Sequence, residues 1–215
     1  GAATTTLTGV NTYTGDTTIN GGTLALSGAG SLASTGTVNL TGAGAALDVS
    51  GASGARTIGA LAGAAGTSVN LGGNSLTLNG SINATYAGTI GGAGSVTLSG
   101  TGTQSLTGTN VYTGGTNLNG GNVVVGSNTA LGSGAVNVNG SSSLDATANV
   151  SLANGVNIAT GTTLTLGGST SLGLGGTISG GGGLVKNGAA TTTLSGANTY
   201  TGGTTLNAGG LVLGN

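Results

Sequence analysis

Aliphatic residues recur in pairs at positions i and i+2 along the whole chain, with a residue that can face solvent between the two members. Examples are Leu24/Leu26, Val69/Leu71, Val136/Val138 and Leu164/Leu166. Clusters of glycine, asparagine, serine or alanine separate the pairs. Side chains two residues apart lie on the same face of a strand, so the pattern predicts short strands joined by corners. No segment keeps a 3.6-residue period, and the sequence therefore predicts no helix.

One stretch occurs three times, at Thr4 to Leu26, Thr103 to Val125 and Thr191 to Leu213. Its tyrosines are 99 and 88 residues apart (112 − 13 and 200 − 112). Asparagine and glycine suit tight corners, so the stretch predicts a strand, a corner, a strand and a second corner. We expect the tyrosines to pack over a corner, although they could instead stack on sugars. The recurring motif residues are Asn11, Tyr13, Gly15, Asn110, Tyr112, Gly114, Asn198, Tyr200 and Gly202.

Short strands with corners between them can form a sandwich, a barrel or a solenoid. Tryptophan and phenylalanine are absent, whereas a sandwich core of this size usually needs large aromatic residues. The loops are short, and the sequence repeats as stacked coils would. We therefore predict an all-β solenoid of about nine or ten coils, each of roughly 20–25 residues. The stack is expected to be continuous over 1–215, with long units at approximately 4–102 and 103–190 and a closing motif at 191–215.

Composition narrows the class of protein. The 215 residues include 51 glycines but no proline, cysteine or histidine, and only five charged residues. A mean hydropathy of +0.32 and the regular aliphatic spacing argue against a disordered linker. With a net charge of −1 there is no basic surface for nucleic acid or lipid. No apolar run is long enough to cross a bilayer, so we expect no direct membrane insertion by this segment.

Candidate chemistry is sparse. Acid–base catalysis would rest on Asp16, Asp48 and Asp145, and the last two are expected to lie about four coils, or roughly 19 Å, apart. That separation exceeds the roughly 5–9.5 Å of paired glycosidase carboxylates. Arg56 and Lys186 are single charges that we expect to be solvated. Histidine and cysteine are absent, and the glycine-rich stretches lack the regular aspartates of calcium solenoids. We expect no catalytic, metal or cofactor site.

The run from Gly176 to Gly188, continued by TTTLSGANTYTGGTTLNAGGLVLG, resembles the passenger-associated repeat of bacterial autotransporters. It departs from the family pattern because Lys186 has no counterpart in the second copy, where Thr97 follows Val96. The resemblance implies a right-handed parallel β-helix in an exported passenger at a Gram-negative cell surface, with a role in passenger folding and secretion. It also implies neighbouring β-helix coils and a C-terminal outer-membrane β-barrel in the intact protein. No enzyme residues come with it.

We expect a structural stalk segment that is not an enzyme. Because charge protects β-proteins from association, its near-absence favours lateral self-association between passengers, as in an adhesin. A Thr-rich face that binds glycan or ice is an alternative, but such a face needs a regular row, and we interpret the threonine spacing as irregular. A β-helical polysaccharide-cleaving enzyme is disfavoured because histidine, glutamate and clustered aspartate are missing.

Overall fold

The computed structural model describes residues 3–214, which form 26 β-strands and no helix. All strand pairs are parallel, and the chain winds around three faces, with a corner in place of a strand in some coils. Strands that follow one another in sequence lie on different faces, and each strand pairs with strands one coil away, on both sides except at the ends of a sheet. The prediction of an all-β solenoid is confirmed. None of the described residues belongs to a helix that could span a membrane.

The first face consists of a five-stranded and a four-stranded sheet. Its strands are β1 (Thr4–Leu7), β3 (Thr23–Gly28), β5 (Ala46–Ala52), β8 (Ser68–Asn70), β11 (Thr89–Gly91), β18 (Val150–Leu152), β21 (Leu172–Leu174), β24 (Thr191–Leu194) and β26 (Gly210–Leu213). The second face is one seven-stranded sheet. Its strands are β6 (Arg56–Ile58), β9 (Leu76–Leu78), β12 (Val96–Leu98), β14 (Thr116–Asn119), β16 (Val136–Gly140), β19 (Val156–Ile158) and β22 (Ile178–Ser179).

The third face is one ten-stranded sheet, which runs almost the length of the chain. Its strands are β2 (Thr17–Ile19), β4 (Thr37–Leu40), β7 (Ala60–Gly63), β10 (Ala84–Tyr86), β13 (Thr103–Leu106), β15 (Asn122–Val125), β17 (Ser142–Ala146), β20 (Thr163–Leu166), β23 (Gly183–Lys186) and β25 (Thr204–Leu206). Each of its strands marks one coil, so the stack has about ten, as predicted.

The aliphatic pairs explain the core. Val136 and Val138 point inward from β16, and Leu164 and Leu166 point inward from β20, all four fully buried. Asn137, between the two valines, faces outward and is half-buried. The inward side chains of successive coils stack into one apolar cluster that runs from Ile19 to Leu194 among the buried residues. Burying a side chain of this size stabilises the fold by roughly 1.5–3 kcal/mol, so the stacked pairs hold the coils together.

Candidate functional site

Each copy of the repeated motif forms one complete coil that closes on itself. Its first and last strands pair with each other, as Thr4 with Thr23 in copy one and Thr191 with Gly210 in copy three. In copy two, Thr103 in β13 pairs with Asn122 in β15. The offset between the paired positions is the same in all three copies (23 − 4, 122 − 103 and 210 − 191). The motif is therefore a single turn of the solenoid.

The motif asparagine lies at the first corner of this turn, where other coils have a strand. In copy two, Asn110 Oδ1 accepts a hydrogen bond from the Ile90 backbone N–H at 2.8 Å, and its Nδ2 donates to the Ala130 carbonyl at 2.6 Å. One buried amide thus bonds to the coil below and to the coil above. It satisfies backbone groups that the interrupted sheet of the first face would otherwise leave unpaired.

The same amide atoms serve the end copies. Asn198 Oδ1 accepts from the Ile178 N–H at 2.8 Å, which lies in the coil below. Asn11 Nδ2 donates to the Ser31 carbonyl at 2.8 Å, which lies in the coil above. In these bonds the oxygen binds downward and the amide nitrogen upward, as in copy two. The asparagine is therefore a side-chain link between coils.

The motif tyrosine bonds to a threonine four residues later. The hydroxyl oxygen lies 2.6 Å from the threonine Oγ1 in each copy, and the pairs are Tyr13 with Thr17, Tyr112 with Thr116 and Tyr200 with Thr204. Tyr112 is fully buried, whereas Tyr13 is 41% exposed and Tyr200 is half-buried. Burial raises the pKa of Tyr112, and the bond to Thr116 only partly offsets that rise.

The motif glycine lies where consecutive coils touch. A Cβ at Gly114 would lie 2.6 Å from the backbone of the coil below, and one at Gly202 would clash with the Gly182 carbonyl oxygen. A Cβ at Gly15 would meet nothing within 4 Å, but one at Gly36 would clash with the Gly15 carbonyl oxygen. Because any side chain in the second and third copies would push coils apart, glycine is required there by close approach.

The three copies do not occupy the same face. Copies one and three begin on the first face, with β1 and β24, whereas copy two begins on the third face, with β13. The middle copy is therefore rotated by one face around the solenoid. Its corner lies on the first face, between β11 and β18, and it is covered by coils on both sides. This placement explains why Tyr112 is buried and the two end tyrosines are not.

Asp48 and Asp145 do not share a face. Asp48 is in β5 on the first face and Asp145 is in β17 on the third. Each carboxylate accepts a backbone N–H: Asp16 from Thr37 at 2.7 Å, Asp48 from Ser50 at 2.8 Å and Asp145 from Ala146 at 2.6 Å. Within residues 3–214, no three acidic, histidine or cysteine side chains form a group that could hold a metal ion.

The prediction that Lys186 is solvated is wrong. The side chain is fully buried at an inward position of β23, where its Nζ donates to the Gly188 carbonyl. Burial lowers the pKa of Lys186, and the negative charge of Asp145 opposes this shift. Arg56 is also not free in solvent, since it is half-buried and donates to a group of corner carbonyls. These belong to Gly28, Gly30, Gly54 and Ala55.

Two residues fill irregular places in the third face, Tyr86 outside the motif and Gln104 in the first strand of copy two, and no repeated pattern signalled them. Tyr86 is fully buried, and a Cβ at Gly63 would lie 2.9 Å from its ring. Desolvation raises the pKa of Tyr86 to about 12, partly offset by a bond to Thr67. Gln104 Oε1 accepts from the Leu61 N–H at 3.1 Å and its Nε2 donates to the Leu61 carbonyl at 2.8 Å. It thereby joins strands two coils apart.

One face carries a regular row of polar residues, although threonine itself repeats over only three of its coils. On the second face, outward residues pair in register from coil to coil without interruption. The row is Thr57, Thr77, Thr97, Asn117, Asn137, Asn157 and Ser179. We call these seven residues the polar row. The row changes from threonine to asparagine at Asn117, so the spacing of threonine alone does not reveal it.

Comparison with known families supports the resemblance. The passenger-associated-transport-repeat family model matches residues 1–26, 96–125 and 184–213. The three matches end at Leu26, Val125 and Leu213, which are the last residues of the three motif copies. No curated protein and no solved structure matches the chain. Three segments of one β-solenoid thus match the passenger-associated-transport-repeat model.

Proposed function

We propose that this chain, with its three passenger-associated-transport-repeats, is a stalk segment in the exported passenger of a bacterial autotransporter. The observation that carries this proposal is that each repeat is one closed coil within an unbroken stack. Ten coils about 4.8 Å apart span roughly 43 Å, so the segment acts as a rigid spacer on the cell surface. It supports whatever the intact passenger carries beyond it.

The closed coil also suits stepwise export. Because the first and last strands of a motif pair with each other, a coil can form as soon as a segment such as Thr4 to Leu26 has emerged. In solenoids each unit contacts mainly its neighbours, so every new coil is stabilised by the one already folded. Folding outside the cell would thereby draw the chain outward and support secretion.

A coil-deletion experiment tests this role. The chain is displayed as the passenger of an autotransporter, and residues 103–121, one full coil by the pairing of Thr103 with Asn122, are removed. The matched control removes only residues 103–112, which takes away β13 and the corner and shifts every later strand to another face. Surface-exposed passenger is measured by protease accessibility. We expect display after the full-coil deletion and its loss after the partial one, whereas equal display would contradict the proposal.

Self-association between passengers is the second part of the proposal. The chain has five charged residues in 215, and the outward-facing residues of its strands are mainly threonine, asparagine and serine. Like-charge repulsion between two copies is therefore weak, and polar side chains remain available for contacts between them. Sedimentation velocity over a range of concentrations tests this part. We expect concentration-dependent association, and a monomer at every concentration would overturn it.

A further inference from the structure

The second face is unusually regular. From β6 to β19 paired residues keep one sequence separation, as in Arg56 with Leu76 and Val136 with Val156, except for a one-residue shift where Asn119 pairs with Gly140. All three residues of the central strands pair in register. Side chains of the polar row therefore repeat every coil, about 4.8 Å apart, over roughly 29 Å from Thr57 to Ser179.

The other two faces lack this regularity. The first face is divided into two sheets by the Asn110 corner, and it carries Asp48 among its outward residues. The third face pairs β7 with β10 through a single residue pair, Tyr86 with Gly63, and carries Asp145. In the part of the chain that the structure describes, the polar row contains no charged side chain, and the one charged residue in the strands of the second face, Arg56, is bonded to corner carbonyls.

The polar row is already bonded along the solenoid axis. Asn137 Nδ2 donates to Asn117 Oδ1 at 3.0 Å, and Asn117 Nδ2 donates to Thr97 Oγ1 at 3.3 Å. An asparagine amide has two N–H donors and two acceptor lone pairs on oxygen. The ladder uses one donor and one lone pair of Asn117, so its second donor and second lone pair remain for a ligand. The side chains are thus held in place and still able to bond outward.

We propose that the polar row is the surface through which two copies of this chain associate, related by a two-fold axis through Asn117. The inference rests on the self-association proposed above. A second copy has the same coil spacing, so its row matches this one along the whole face. Asn117 is the middle of the seven residues, and the threonines lie on one side of it and the other asparagines on the opposite side.

The two-fold arrangement pairs unlike groups. It sets Thr97 opposite Asn137 and Thr77 opposite Asn157, so that hydroxyls face amides. A side-by-side arrangement with both chains pointing the same way would set identical groups opposite each other. A two-fold interface uses the same patch on both copies and closes as a dimer. The order of residues along the row therefore favours a dimer in which the two solenoids run in opposite directions.

The area of the face sets the expected strength. The strands are mostly three residues long, about 10 Å, and seven of them span about 34 Å, which gives roughly 340 Å² per copy. Stable complexes bury about 800 Å² per partner, so this contact belongs to the weak, transient class. We expect a dissociation constant in the high micromolar range or above in solution, and tighter binding where many copies are displayed together. The assays therefore need concentrated protein.

Introducing a charge at position 117, on the two-fold axis, tests the proposal. In Asn117→Lys two ammonium groups would meet on the axis, and in Asn117→Asp two carboxylates would meet there. We expect each variant alone to associate at least tenfold more weakly than the unmodified chain in sedimentation velocity. An equimolar mixture of the two variants should recover association. Ser105→Lys is the matched control, since Ser105 is a half-buried outward residue of β13 on the third face, and it should leave association unchanged.

The outcomes separate the two proposals. If the unmodified chain stays monomeric at millimolar concentration, self-association itself fails. Two results would overturn only the assignment of the face, with self-association itself intact. One is that Asn117→Lys and Asn117→Asp associate as Ser105→Lys does. The other is that the mixture of the two Asn117 variants does not recover association. A monomeric chain whose binding to a glycan array, or whose thermal hysteresis in ice, is lost in Asn117→Lys would instead make the row a ligand surface.

Discussion

Removing the buried hydroxyl of Tyr112 should destabilise the solenoid, whereas the same change at Tyr13 should not. Both hydroxyls lie 2.6 Å from the Oγ1 of a threonine four residues later. Tyr112 is fully buried, and Tyr13 is 41% exposed. The substitutions Tyr112→Phe and Tyr13→Phe remove the same atom from the same motif. They differ only in whether water can replace the lost partner.

The magnitude follows from what each change leaves behind. At the buried corner, Thr116 Oγ1 still donates to the Leu131 carbonyl at 3.0 Å, so no donor is orphaned. The loss is then that of one net hydrogen bond, about 1 kcal/mol. Around Tyr13, solvent can take over the bond, and an exposed change of this kind stays within about 0.5 kcal/mol. Tyr112→Ala, which also removes the ring, should cost about 3–5 kcal/mol.

Urea unfolding followed by far-UV circular dichroism gives the comparison, with the unfolding slope checked for each variant because solenoids can unfold in segments. We expect the midpoint to fall for Tyr112→Phe and to stay near that of the unmodified chain for Tyr13→Phe. Equal shifts for the two variants would refute the reasoning that burial of the middle copy decides the value of the bond. An unchanged midpoint for Tyr112→Phe would refute it as well.

Three further predictions concern the core. Gly132→Ala forces a φ of +67° on alanine and places its Cβ 2.5 Å from the Tyr112 carbonyl oxygen. Gly161→Ala is the control, because Gly161 has a similar φ of +80° but open space around its Cβ position. Gly132→Ala should therefore lower the unfolding free energy by roughly 1–3 kcal/mol more than Gly161→Ala. Lys186→Met should be neutral or stabilising by about 0–2 kcal/mol at neutral pH in thermal melts. The folded pKa of Lys186 is lowered, so stability should rise with pH between that pKa and about 10.4, and Lys186→Met should remove this rise. Because the pKa of Tyr86 is raised to about 12 and that of Tyr112 is also raised, stability should fall above about pH 10 as the unfolded tyrosines ionise, and Tyr86→Phe with Tyr112→Phe should flatten that fall.

The strand pattern was readable from the sequence because burial and periodicity coincide in a solenoid. Pairs such as Val136 and Val138 lie inward with an outward residue between them, and the alternation reports this directly. The burial of Lys186 had a signal too, since it follows Leu184 at the same two-residue spacing. Its charge outweighed the spacing in our interpretation, although a long side chain can reach a carbonyl inside the corner.

The face on which each strand lies could not be predicted from the sequence. The coil from Thr4 to Thr23 is shorter than the coil from Thr23 to Ala46, so the face on which a strand lies depends on the length of every coil before it. This accumulated length rotates the middle motif copy and aligns the polar row. Gln104 could not be recognised for a similar reason, because its partner Leu61 lies far back in the sequence and two coils away.

Distances along the second face test the stacked solenoid most directly. The chain has no cysteine, so spin labels can be placed at chosen pairs, Thr57→Cys with Asn137→Cys and Thr57→Cys with Ser179→Cys. Four and six coils separate these positions, which predicts narrow distributions at about 19 Å and about 29 Å before allowance for the labels. A difference of about 10 Å between the two pairs would support the account. Broad distributions, or equal distances for both pairs, would contradict it.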